Sequence, residues 1–129
     1  PRLVEDRSLE ISDSTLAKKV GNLRFFSATY RLFKLKELES ACEDYGQSVI
    51  YRGSIPDSPS QLTFDKHHSI KVGKEFKVCG NTWKMLHDTR FAPHFDFIGN
   101  FDSHVGLFAG CGVELPFDEN SGAGGTSCC

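Results

Sequence analysis

Apolar and polar residues alternate most cleanly along RFFSATYRLFKL. Phe26, Ala28, Tyr30 and Leu32 share one face, and Arg24, Ser27, Thr29, Arg31 and Lys34 supply the polar interleaving. A period of two over this length predicts a strand with one buried face. Phe25 and Phe33 fall on the polar face, which predicts partial cover there too. QSVIYRGSI returns as a second strand with Val49, Tyr51 and Ile55 in phase, before the prolines of PDSPS break the chain. QLTFDKHHSIKVGKEFKV reads as further strands carrying Leu62, Phe64, Ile70, Val72, Phe76 and Val78, with Gly73 marking a turn or bulge. The opening RLVEDRSLEI has strand character, and FDFIGNF and HVGLFAGCGVELPF predict two last short strands.

Two segments change period. In SDSTLAKKVGN, Ser12 or Asp13 suits a helix N-cap, Leu16 and Val20 lie four apart, Lys18 and Lys19 suit the negative end, and Gly21 suits the position after it. In GNTWKMLHDTRFAPHF, Asn81 is the expected N-cap, Trp83, Leu86 and Arg90 recur at helical spacing, and Pro93 ends the run. KELESACEDYG reads as a charged connection with room for one helical turn. The pattern predicts an α+β domain: a mainly antiparallel, meandering sheet with two short helices packed on one side. That domain is expected to span residues 1–118, and the Gly/Ser-rich stretch 119–129 is expected to be a flexible tail.

Composition fits one compact domain of 129 residues, 39% hydrophobic and 25% charged, with 11 phenylalanines to fill a core. The net charge of −2 argues against a general grip on nucleic acid or an anionic membrane. No apolar run approaches the ~18 residues of a membrane span, and no secretory leader is visible. The first residue is Pro1, which reads as processing or as excision from a longer chain. No strand–glycine loop–helix cradle for a nucleotide or S-adenosylmethionine is visible.

Candidate chemistry is sparse. His67 and His68 point to opposite faces of a strand, Pro93 separates His87 from His94, and His104 stands apart, so no metal set converges. Glu43, Asp44 and Asp96 read as solvated carboxylates, and no catalytic residue is assigned. The five cysteines, Cys42, Cys79, Cys111, Cys128 and Cys129, are odd in number and scattered, which favours a reducing, cytoplasmic setting. Cys111 in GCG reads as an exposed loop thiol, and no helix start follows it to activate a nucleophile. Cys128 and Cys129 end the chain side by side. Soft thiolates select thiophilic partners, so the pair is either an accessory thiol site or an idle tail.

The runs RFFSATYRLFKL, EDYGQSVIYRGSIP and LTFDKHHSIKVGKEFKV, continued by DTRFAPHFDF and HVGLF, resemble the C-terminal part of eukaryotic arsenite methyltransferases, especially the algal type. The resemblance runs from Arg2 to about Phe108, is most specific from Phe25 to Ile55, and accommodates the terminal TSCC. It implies an enzyme that methylates trivalent arsenic held by thiolates, the arsenic lone pair attacking the sulfonium methyl of S-adenosylmethionine. It also implies that the cofactor and the ligand cysteines belong to an upstream Rossmann-like domain absent here. No arsenic ligand and no cofactor residue is therefore carried onto Cys42, Cys79 or Cys111. The chain is expected to wall the arsenic site, to pack on the catalytic half, to have small thiols among its partners, and to be inactive alone. Two rival readings are a stand-alone thiol-rich module for thiophilic ions and a thiol redox protein.

Overall fold

The computed structural model describes residues 1–109, so the domain limit at 118, the expected tail, Cys111, Cys128 and Cys129 lie outside the described residues. Among the described residues, nine strands and two α-helices run in the order β1 (Arg2–Leu9), α1 (Ser14–Val20), β2 (Phe25–Arg31), β3 (Glu43–Asp44), β4 (Ser48–Tyr51), β5 (Gln61–Thr63), β6 (Ser69–Lys71), β7 (Glu75–Lys77), α2 (Gly80–His87), β8 (Phe95–Ile98) and β9 (Gly106–Leu107). The fold class is the expected α+β, with antiparallel strand ladders. The expected single meander is instead four small sheets, β1–β2, β3–β9, β7–β4–β8 and β5–β6. Strands of two to four residues, broken by the turns at Pro56, Pro59, Asp65 and Gly73, are too short to share one continuous ladder.

The core lies around β4 and α2. Val49 and Tyr51 are fully buried on β4. Val49 pairs with Phe76 of β7 at one edge, and Val49 and Tyr51 pair with Phe97 and Phe95 of β8 at the other. Phe64, Ile70, Met85, Leu86 and Phe91 close the cluster, with Phe64 and Phe91 edge to face at 5.8 Å. Gly73, at φ 68°, takes the left-handed conformation that its place between β6 and β7 requires.

Helix α1 forms as expected: Asp13 Oδ1 accepts from the Leu16 N–H at 2.7 Å, and Gly21 at φ 60° ends it. Its packing differs from expectation, since none of its residues is buried. Helix α2 is the one that packs on the sheet, against β8. Its N-cap is Cys79, whose sulfur accepts from the Thr82 N–H at 3.5 Å, and not Asn81. Asn81 is instead fully buried. Its amide accepts from Glu39 N–H at 2.8 Å and donates to the carbonyls of Glu39 (2.8 Å) and Ala41 (3.2 Å). That clamp, with the Phe108 N–H to Cys42 carbonyl bond at 2.7 Å, holds the 39–44 connection extended, so the expected helical turn is replaced by β3. Helix α2 also ends at His87, leaving Arg90 beyond it.

The face expected to be buried on β2 is also corrected. Tyr30 and Leu32 are exposed, while Arg31 and Phe33 of the opposite face turn toward the core. Phe33 packs on Phe64 at 5.6 Å, and Arg31 donates to the carbonyls of Thr63 (3.1 Å) and Phe64.

Strand β1 is riveted to this body by a buried ion pair. Arg2 donates from Nη1 to Asp65 Oδ2 at 3.3 Å and from Nη2 to Thr82 Oγ1 at 2.6 Å, and its Nε lies 3.4 Å from Met85 Sδ. Asp65 Oδ1 accepts the N–H groups of His67 (2.9 Å) and His68 (2.8 Å) and faces His68 Nδ1 at 2.7 Å. Burial would raise the Asp65 carboxyl and is the largest single influence. The His68 hydrogen bond and charge, the His67 N–H and Arg2 together outweigh it and hold the carboxyl below its ordinary range. Asp65→Asn strands a buried guanidinium and is expected to lower stability by about 3 kcal/mol in urea unfolding. A depressed carboxyl contributes fully above the ordinary carboxylate pKa, and that contribution is lost as pH falls through the depressed value. The gap between the parent and Asp65→Asn should therefore narrow on acidification below about pH 4.

Candidate functional site

The sequence candidates disperse in space. His67 is exposed, and His68 is buried against Asp65. His87 stacks on Trp83 at 4.3 Å and pairs with Asp88, His94 meets Ser54 Oγ at 2.6 Å, and His104 meets Glu43 Oε2 at 2.7 Å. Among the described residues no three histidine, cysteine or carboxylate side chains are grouped to hold a metal. Asp44 accepts the Gly46 N–H in a turn, and Asp96 pairs with Arg52, which holds its carboxyl below the ordinary range.

Two of the five cysteines fall inside the described residues, and both are buried. Cys42 is 5% and Cys79 0% exposed, and they pack together under Phe108. Phe108 is carried there by the β3–β9 ribbon, in which Glu43 faces Leu107 and Asp44 faces Gly106. Cys79 Sγ lies 3.3 Å from Thr82 Oγ1, the same oxygen that accepts from Arg2. One polar chain therefore runs from Asp65 through Arg2 and Thr82 to the capping sulfur. A nucleophilic or ligating thiol has to meet its partner as an accessible thiolate. The burial of Cys42 and Cys79 suits packing and capping instead.

The second feature is an exposed ribbon. Of the ten large hydrophobic residues exposed among the described ones, six lie between residues 9 and 32: Leu9, Leu16, Leu23, Phe25, Tyr30 and Leu32. Leu9 faces Phe25 across β1–β2, and Leu23 and Leu32 are 68% and 78% exposed. A two-stranded ribbon is marginal alone, and scattered single apolar residues are ordinary, but here most of the exposed large apolar side chains concentrate in one ribbon and its helix. The sequence pattern missed it because the same alternation describes a buried face and a covered one.

The described residues do not fit an S-adenosylmethionine cradle. The strand ladders are antiparallel, and the glycine that opens α2, Gly80, is filled in: a Cβ there would lie 3.0 Å from Glu39 and Tyr45 and 3.1 Å from Phe101. No described helix is long and apolar enough to cross a membrane.

Comparison with known proteins agrees with this outline. Residues 44–114 match the family model for the arsenite methyltransferase C-terminal domain. The chain is 63% identical over its full length to an arsenite methyltransferase of Aquipseudomonas alcaligenes, covering 38% of that protein. It is 36% identical over 75% of its length to the arsenite methyltransferase of Rattus norvegicus, covering 26% of it. An X-ray crystal structure of an arsenic (III) S-adenosylmethionine methyltransferase from Chlamydomonas reinhardtii superposes with a TM-score of 0.74 at 41% identity, over 83% of this chain and 36% of that one. The chain thus spans between about a quarter and two fifths of the length of these relatives.

Beside the thiols, the Tyr45 hydroxyl donates to Glu39 Oε1, and that bond, then burial and the charges of Glu39 and Glu43, raise its pKa to about 12. The folded protein holds this proton more tightly than the unfolded chain. The contribution is present below the ordinary tyrosine pKa near 10 and is lost as pH rises through about 12. Spectrophotometric titration is expected to show a tyrosinate step at about pH 12 that is absent from Tyr45→Phe.

Proposed function

The chain belongs to the arsenite methyltransferase C-terminal domain family, and from that premise we propose that it is the C-terminal, non-catalytic portion of an enzyme that methylates thiolate-bound trivalent arsenic with S-adenosylmethionine. The observation that carries the reading is the family match, which falls on the C-terminal domain of that family. The cofactor and the arsenic ligands then belong to a preceding Rossmann-like catalytic domain. This chain packs on that domain and walls the arsenic site, in a reducing cytoplasm where small thiols are partners and arsenic detoxification is the outcome. The exposed ribbon from Leu9 to Leu32 supports the packing, since apolar side chains on both faces of two strands need cover from elsewhere.

Cys128 and Cys129 are accessory thiols in this reading, soft ligands that pass arsenic toward the catalytic site. The rival stand-alone thiol module is disfavoured by the burial of Cys42 and Cys79, which takes two of its five cysteines out of reach.

Incubating the 129-residue chain with arsenite, a thiol and S-adenosylmethionine is expected to yield no methylated arsenic, and methylated product would overturn the non-catalytic assignment. In a longer protein containing this chain, Leu23→Asp with Leu32→Asp is expected to lower methylation at least tenfold while leaving the folding of the isolated chain unchanged, because both side chains are already in water there. Undiminished turnover would remove the ribbon from the contact. Serine at both Cys128 and Cys129 is expected to weaken arsenite binding in the longer protein; unchanged affinity and turnover would make the pair an idle tail.

A further inference from the structure

Strand β2 and the turn after α2 bring two arginines to one aromatic ring. The guanidinium carbons of Arg31 and Arg90 lie 5.4 and 5.5 Å from the Phe91 ring centroid, and that of Arg31 lies 5.6 Å from Phe64. Arg31 is held in place by its bonds to the Thr63 and Phe64 carbonyls, which orient it without neutralising it. Arg90 is exposed and makes no hydrogen bond or ion pair with the described residues. Burial first, and then the neighbouring Arg90, push the Arg31 guanidinium below its ordinary range, against a smaller opposing pull from Asp65.

A groove opens on each side of this pair, of about 440 and 460 Å³, and Arg31, Arg90 and Phe91 line both. Ile55, Asp57 and His94 complete the first, and Lys34 adds a third cation to the second. Three permanent cations thus face one carboxylate, Asp57, on a chain whose net charge is −2. The other carboxylate felt by Arg31, Asp65, is already bonded to Arg2 and His68. Like charges gathered on a concave, partly apolar surface are a receptor for an anion, and guanidinium forks match the oxygens of carboxylate and phosphate.

We propose that Arg31 and Arg90 form a binding site for a small, doubly charged oxyanion, a dicarboxylate or phosphate, whose charges span the two guanidinium groups and whose carbon skeleton, where it has one, lies on Phe91. Tyr30 and Leu32 of the ribbon also line the second groove, so the packing proposed above would narrow that side in a longer protein; titrating the 129-residue chain tests the anion site separately from that packing. Its ligand requires no redox or covalent step.

The test is a titration of the 129-residue chain with succinate and with inorganic phosphate, with acetate and sodium chloride at matched ionic strength as controls. Backbone amide shifts at 30–34, 89–92 and 94 report the site, and the thermal midpoint reports binding to the folded state. Saturable shifts confined to these segments are expected, with succinate or phosphate binding at least tenfold more tightly than acetate. Saturation by succinate alone identifies a dicarboxylate ligand, and saturation by phosphate alone a phosphate-bearing one. Arg90→Ala removes an exposed side chain that makes no hydrogen bond or ion pair with the described residues and only rests on Phe91, so it should fold normally and weaken the dianion about tenfold, the loss expected of one charge-assisted pair. Asp57→Asn should tighten it. Responses equal to those of sodium chloride, acetate binding as tightly as succinate, or Arg90→Ala without effect would each overturn the site.

Discussion

The buried carboxylate of Asp65 is the constraint around which the molecule is arranged. It sits in the turn between β5 and β6, collects two backbone N–H groups and an imidazole, and faces Arg2 from a strand more than sixty residues away. A charge in that position is tolerable only when every partner is present, so β1, the β5–β6 turn and α2 are obliged to meet. The Lys66 N–H to Leu3 carbonyl bond at 2.9 Å continues the same seam along the backbone. This seam divides the chain into a packed body around β4 and α2 and a ribbon that is tethered at one end and bare along much of its length.

That division suits a domain meant to complete a larger one. The body carries its own hydrophobic core; the ribbon does not. The family match begins at residue 44, inside the body, while the bacterial relative aligns through the ribbon as well. The apolar surface of the ribbon is the part of the chain that the proposed packing on a catalytic domain would cover.

Much of the architecture was legible in the pattern of residues, and the failures have local causes. The positions of both helices and of every strand but β3 followed from periodicity, and Asp13 and Gly21 behaved as short-range chemistry requires. Asn81 did not, because a distant backbone, that of Glu39 and Ala41, offered its amide more than the helix start did. The buried face of β2 was misread because alternation tells apart two faces without telling which one is inward, and the deciding contact, Arg31 over Phe64 and Phe91, is made by residues far apart in the chain. The arginine pair was invisible for the same reason: Arg31 and Arg90 carry no motif, and only folding makes them neighbours.

The capping sulfur of Cys79 has a consequence for the economy of thiols. An enzyme of the proposed kind must offer a thiophilic substrate a few chosen sulfurs and deny it all others, since a tight decoy would hold the substrate where no methyl group can reach it. Sulfur that closes a helix end beneath Phe108 is withdrawn from that competition as effectively as if it were oxygen, while still filling its place in the interior. Burial of this kind would be a form of selectivity exercised by the scaffold on behalf of a site proposed to lie in another domain.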